Sequence, residues 1–264
     1  MGRILGPESS MRRYWIKGSQ IEGSEGTIDG EEFHHIVDVC RQSKGSRFEV
    51  LTEGQTAHFV QLIEVGKKSA RFEILESREI QELPRPRFHL CLSVPRFPVF
   101  ESLLEKMVEL GVFDVHLFFS EFSFVRTKDK ISKDKFDRWA RIIKSSTQQS
   151  GRGSLMTVHE PVDLENLFKK INQNSNSLCL FAYEGDPTGL IKSSNLLSIL
   201  ENIQWDQLED LYIVIGSEGG FSTQEVNFIS EMGHQPVNLG PQILRVETAC
   251  VALVSILKYE TQRR

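Results

Sequence analysis

Short apolar runs with strand-like alternation fill the first third of the chain. Near residue 88 they give way to apolar runs separated by helical three-four spacing. Arg47-Phe48-Glu49-Val50-Leu51, His58 to Ile63 and Ala70 to Leu75 are each bounded by Gly, Lys or Ser, which predicts strands of a small β-barrel or sheet domain. Between the two regimes, Leu83-Pro84-Arg85-Pro86-Arg87 disfavours helix before each proline and withholds two backbone donors. That stretch predicts an interdomain linker, with one domain over 11–83 and a second over 84–264.

In the second region Phe88 to Val94, Phe113 to Phe119, Leu178 to Tyr183 and Leu211 to Gly216 read as strands, with a short one near Pro236 to Leu239. Helices are predicted over Val99 to Leu110, Ser132 to Gln149 and Glu247 to Tyr259. The first aligns Phe100, Leu103, Leu104, Met107 and Val108 on one face, and the second aligns Phe136, Trp139, Ile143 and Ile142. Alternation of this kind implies an α/β fold, a parallel sheet covered by helices, whose ligands bind beyond the carboxyl ends of the strands. The apolar positions of the last helix, Val251, Ala252, Val254, Ile256 and Leu257, fit either core or a subunit interface.

Composition narrows the class. An apolar fraction of 39% and a charged fraction of 25% are those of a folded globular protein. The four cysteines, 40, 91, 179 and 250, lack the spacing of a zinc knuckle or a redox pair, which fits a reducing compartment. No apolar run approaches the roughly 18 to 20 residues of a membrane span, and MGRILGPESS has no signal-peptide core, so a cytoplasmic location is expected. Residues 1–10 read as an extension, a tag remnant or an alternative start before Met11.

Net charge is −5, yet it divides as −1 over residues 11–87, +3 over 88–153 and −7 over 154–264. Arg126, Lys133, Lys135, Arg141 and Arg152 belong to the basic middle segment, which is either a solvated helix face or a phosphate-binding strip.

Two segments carry candidate chemistry. In Ile213-Val214-Ile215-Gly216-Ser217-Glu218-Gly219-Gly220-Phe221-Ser222 an apolar strand enters a turn with glycines at 216, 219 and 220, then Ser222 and Glu225 in capping-box spacing. Glycines there admit a ligand to bare backbone and the following helix offers free amides, although an ordinary tight turn has the same composition. Leu239-Gly240-Pro241-Gln242-Ile243-Leu244-Arg245-Val246-Glu247-Thr248-Ala249 repeats the plan, with Arg245 and Glu247 flanking a helix start. Together the two turns could wall one pocket. Neither matches a P-loop or the G-x-G-x-x-G dinucleotide fingerprint, which disfavours common nucleotide-phosphate sites.

These segments resemble the RsmE family of RNA methyltransferases. Residues Gly216 to Ser222 are similar to its G-P-E-G-G-[FL]-[ST] motif and Leu239 to Ala249 to its L-G-x-R-I-L-R-x-E-T-A motif. Lys106 to Val112 is similar to K-A-T-E-L-G-V, and Gln149 to Arg152 to E-Q-S-x-R. Arg13, His35, Arg41 and Gly54 stand in the order of the family's PUA-like RNA-binding barrel. The chain departs from the pattern at Ser217 for Pro, Gln242 for Arg, Val246 for Thr and Gln148 for Glu.

The resemblance implies a C-terminal SPOUT domain with a trefoil knot, an exception to the rule against threaded loops. It implies S-adenosyl-L-methionine as cofactor, held around Phe181, Gly216, Glu218, Gly219, Gly220, Leu239, Gly240, Ile243, Leu244 and Thr248. Arg245 and Glu247 are the implied catalytic pair. Arg13, Arg41, Arg126, Lys133, Lys135, Arg141 and Arg152 are the implied RNA contacts. The partners implied are 16S ribosomal RNA in the small subunit and a second copy of the chain, and the reaction is methylation of a uridine N3. No metal is expected, because the seven histidines show no ligand spacing and only His34 and His35 are neighbours. Alternatives are a knotted methyltransferase acting on a ribose hydroxyl or another base, and a non-catalytic RNA-binding assembly factor.

Overall fold

The structure is a computed structural model, described over residues 12–53, 55–184, 194–234 and 236–263. Gly54 and the expected N-terminal extension therefore lie outside the described residues. The chain forms two compact units: one runs to Glu82 and also takes in Lys144–Leu155, and the other comprises Leu83–Ile143 and the residues from Met156 on.

The first unit is a six-stranded sheet built from β1 (Arg13–Trp15), β2 (Ile21–Glu22), β3 (Glu25–Asp29), β4 (Arg47–Leu51), β5 (Thr56–Val65) and β6 (Ser69–Glu79), with a short helix α1 (Gly30–Phe33) after β3. Strand order is β1-β4-β5-β6-β3-β2, antiparallel throughout except for the parallel pair β1 and β4. Alternation selects the core. Phe48 and Val50, Val60 and Leu62, Ala70 and Phe72 point inward and meet Tyr14, Ile16, Ile28, Phe33 and Ile36.

Residues 144–155, placed by sequence in the second domain, pack with the first unit. Lys144 Nζ lies 2.6 Å from Glu32 Oε1. A Cβ at Gly151 would stand 3.0 Å from the Arg13 guanidinium, and one at Gly153 would stand 2.8 Å from Ile80. The two glycines leave room for side chains from far back in the chain, a pairing that local periodicity does not report.

The second unit holds seven parallel strands: β7 (Arg87–Ser93), β8 (Asp114–Phe119), β9 (Thr157–Asp163), β10 (Ser177–Ala182), β11 (Ser194–Asn195), β12 (Asp210–Ile215) and β13 (Pro236–Asn238), in the order β11-β13-β10-β12-β7-β8-β9. Helices α2 (Phe97–Glu109), α3 (Lys133–Ser150), α4 (Leu164–Asn172), α5 (Leu196–Glu201), α6 (Thr223–Glu231) and α7 (Val246–Arg263) accompany them.

Alternate residues of the central strands feed two cores. Leu90, Leu92, Ile213 and Ile215 face α2, α3 and α7 residues such as Leu103, Trp139 and Leu253, whereas Cys91, Phe118, Phe181 and Val214 face Phe168 of α4 and Val226 of α6. Because both faces are covered, β12 reads as a continuous apolar run.

Helix α2 buries the predicted five residues, Phe100, Leu103, Leu104, Met107 and Val108. In α7, Val254 and Leu257 are core and Val251 and Ala252 half-buried, while Ile256 and Tyr259 are exposed. The path from Glu184 to Ser194, on which the expected knot depends, includes 185–193, which lie outside the described residues.

Candidate active site

The carboxyl ends of β10, β12 and β13 open into a cleft that is partly open to solvent. Its wall comes from the end of β10 (Ala182, Tyr183, Glu184), the glycine turn after β12, the turn after β13 (Leu239, Gly240, Gln242, Leu244) and the first turn of α7 (Val246, Ala249). The lining is apolar at Ile215, Leu239, Leu244, Val246 and Ala249 and polar at Glu184, Ser217 and Gln242. Such a divided surface suits a ligand with an aromatic ring and polar substituents.

The turn from Gly216 to Gly220 is held by its own packing. A Cβ on Gly216 would lie 2.8 Å from the Gly220 backbone, and one on Gly219 would lie 2.6 Å from Phe122 Cβ. The Gly220 amide donates to the Ser217 carbonyl at 2.8 Å, and the Ser217 hydroxyl donates to the Phe122 carbonyl at 2.6 Å. The next helix starts with the capping box predicted from Ser222 and Glu225: the Ser222 amide donates to Glu225 Oε2 at 2.9 Å and the Glu225 amide to Ser222 Oγ at 3.4 Å. In the second turn the Gly240 amide donates to Asn238 Oδ1 at 2.7 Å.

Of the residues singled out by sequence, Gly216, Gly220, Leu239, Gly240 and Leu244 line the cleft. Phe181 does not; it is fully buried in the second core, edge-on to Phe221, so it supports the floor from beneath. Glu218 turns away and accepts from the Arg96 amide at the start of α2, at 3.2 Å. Gly219 faces Phe122, and Ile243 and Thr248 are solvent-exposed. Arg245 is exposed between the lining residues Leu244 and Val246, and Glu247 is half-buried in the first turn of α7. Among the described residues no ion pair joins Arg245 to Glu247.

Ala182, Tyr183 and Glu184 escaped the sequence reading. Their one local signal was their place at the end of a strand, and only the pairing of β10 with β12 and β13 puts that end in the cleft.

The basic residues scatter. Arg41, Arg126, Lys133 and Arg141 are exposed. Arg13 donates to Glu49 at 2.9 Å, and Lys135 sits 5.0 Å over the Phe97 ring and 3.8 Å from Glu101. Arg152, expected as a surface contact, is only 8% exposed and turns its Nε toward Ser154 Oγ at 3.4 Å.

Nor do the histidines stay apart as their spacing suggested. His116 and His159 are in register on β8 and β9, His89 on β7 is in register with Asp114 itself, and all three histidines reach Asp114 at the opposite, amino end of the sheet. Burial pushes the Asp114 carboxyl up, but hydrogen bonds from His116, His159 and His89 reverse this and hold it far below the usual range. Burial lowers His89, and Asp114 and Asp210 more than restore it; for His116 burial prevails and holds the ring below the ordinary imidazole value.

Comparison with known proteins follows the same outline. An RNA methyltransferase domain family matches residues 81–258, and an RNA methyltransferase PUA domain family matches residues 28–75. The Aquifex aeolicus protein named ribosomal RNA small subunit methyltransferase E is 31% identical, over 87% of this chain and 91% of its own length. The chain belongs to the RsmE family. A Bacillus subtilis member is 29% identical across 96% of this chain and 98% of its own. The fold is shared with the Neisseria gonorrhoeae RsmE crystal structure bound to S-adenosyl methionine, at a TM-score of 0.78 and 24% identity over 95% of this chain and 98% of that one. An RsmE chain thus combines the PUA unit with the α/β SPOUT unit described above.

Proposed function

We propose that this protein methylates N3 of a uridine in 16S ribosomal RNA, the position numbered 1498 by ribosomal convention, with S-adenosylmethionine as donor, in the cytoplasm during small-subunit maturation. The observation that carries this reading is the cleft at the strand ends, walled by two glycine turns, in a chain of the RsmE family. Three cysteines are buried and, among the described residues, all four are free, in keeping with a reducing compartment.

The cleft's composition fits the cofactor: Ile215, Leu244 and Val246 offer a wall to a purine, and Glu184 offers a carboxylate to hydroxyl or ammonium groups. Gly216, Gly220, Leu239, Gly240 and Leu244 are the contacts retained from the expected set. Phe181, Glu218 and Gly219 act one step removed, by fixing the floor and the turn. The sulfonium donor supplies an activated methyl group, and transfer is a direct displacement that depends on alignment.

Uridine N3 must lose its proton, and Arg245, exposed beside the cleft, stabilises the resulting charge on the base. Glu247 orients Arg245 or assists proton removal. Arg41, Arg126 and Lys133 are exposed to meet phosphates, with Arg13, Lys135 and Arg141 available only by giving up their present partners. A second copy docks on the exposed α7 residues Ile256 and Tyr259.

Calorimetric titration with S-adenosylmethionine, comparing wild type with Ala249→Leu, tests the site, because the larger side chain intrudes from the α7 wall. Saturable binding lost in a folded variant supports it, and mapping of methylated uridines by reverse-transcription stops then tests the target. Gln242 in the lining, where the resemblance expects Arg, favours a second reading, an RNA-binding assembly factor without catalysis. Lack of cofactor binding by wild type would select that reading.

A further inference from the structure

The cluster at the amino end of the second unit's sheet is the strongest feature left unused by the methyltransferase reading. One carboxylate, Asp114, is approached by three imidazole nitrogens from three adjacent strands: His89 Nδ1 at 2.6 Å, His159 Nε2 at 2.8 Å and His116 Nε2 at 3.2 Å. The candidate ligand atoms of His89, Asp114 and His116 all lie within 4.8 Å of one another. Their side chains are only 7%, 9% and 7% exposed, while His159, at 39%, stands at the rim and gives access from solvent.

The far side of His89 is also prepared. Its Nε2 lies 2.9 Å from Asp210 Oδ1. Asp210 is in turn gripped by two nitrogens of Arg87, at 2.6 and 2.9 Å, and by Asn174 Nδ2 at 2.7 Å. A carboxylate that receives the second N–H of a histidine fixes its tautomer and aims the first nitrogen, the arrangement that supports metal-ligating histidines.

We propose that His89 Nδ1, His116 Nε2 and a carboxylate oxygen of Asp114 form a site for a divalent transition-metal ion of the zinc class, with His159 holding the second carboxylate oxygen. Two imidazoles and one carboxylate are donors such an ion takes, and a water entering at the His159 rim completes the tetrahedral shell. With metal–ligand bonds of about 2.0–2.1 Å, tetrahedral donors stand roughly 3.3 Å apart, so the present contacts open by ~0.1–0.7 Å on binding. The ion takes the place of the proton between His89 Nδ1 and Asp114, the N–H of His116 moves to Nδ1, and His159 keeps its contact with the second Asp114 oxygen.

The bound ion ties β7 and β8 together, with β9 joined through His159 and β12 through Asp210. Five residue steps along β12 separate Asp210 from Ile215 at the cleft, roughly 17 Å of strand. The role is therefore structural and the site is independent of the methyl-transfer reading.

The test uses the full chain stripped with a chelator and titrated with zinc chloride against a competing chelator, with cobalt(II) absorption reporting coordination. The expected result is one equivalent bound, a tetrahedral cobalt spectrum and a raised melting temperature. His116→Ala weakens binding at least tenfold with the fold retained, and His34→Ala leaves binding unchanged. A folded wild type without saturable binding overturns the proposal, as does binding that survives unaltered in both His116→Ala and Asp114→Asn.

Discussion

The Ser217 hydroxyl donates a 2.6 Å hydrogen bond to the carbonyl of Phe122, tying the glycine turn of the cleft to the loop that follows β8. Ser217 is itself nearly buried and stands where the RsmE motif carries proline. Removing the hydroxyl leaves that carbonyl without this donor and costs about 1 kcal/mol. Ser217→Ala is expected to melt a few degrees lower and to bind S-adenosylmethionine about 3- to 10-fold more weakly by calorimetry. An unchanged affinity would detach the turn from the cofactor site.

Gly219 answers to the same loop. Because its missing Cβ would meet Phe122 Cβ at 2.6 Å, Gly219→Ala is expected to destabilise the protein through a protein–protein clash. The double variant Gly219→Ala with Phe122→Gly, which removes the opposing atom, should recover part of the loss in thermal denaturation. No recovery would locate the strain elsewhere in the turn.

In the first unit Glu49, only 8% exposed, accepts from Arg13 at 2.9 Å and from Arg78 at 2.9 and 3.0 Å. Burial alone would raise its carboxyl, but the two guanidiniums outweigh burial and hold it below the ordinary range. A depressed folded value means that the stabilisation is complete above the unfolded carboxylate's pKa and is lost as pH falls through the folded one. Both arginines are partly exposed, so solvent screening limits the effect, and Glu49→Gln should cost ~1 kcal/mol at neutral pH. The difference between variant and wild type should shrink below about pH 4 in pH-resolved melting curves; a constant gap would assign the cost to packing.

Arg245 is exposed and outside the cleft lining, so the methyltransferase reading predicts a separation of effects. Arg245→Ala should leave cofactor affinity within about twofold and reduce kcat on 16S ribosomal RNA by roughly 10²–10³, the usual loss when a preorganised charge-stabilising donor is removed. Equal losses in cofactor binding and kcat would make Arg245 a binding residue.

The sequence by itself determined the elements whose stability is local. The five-residue buried face of α2, the strand β12 and the Ser222–Glu225 cap depend on neighbours three or four positions away or on one continuous apolar run, and the paired glycine turns were visible for the same reason. Tertiary structure decided what depends on strand order. It moved residues 144–155 to the first unit, brought Ala182, Tyr183 and Glu184 to the cleft and withdrew Phe181 and Glu218 from it. It also gathered His89, Asp114, His116 and His159, which no spacing connects, because parallel pairing aligns residues separated by a whole crossover helix or loop. Register between distant strands, set by how two cores close on both faces of the sheet, is a property of the packed chain, and the chemistry of both ends of that sheet follows from it.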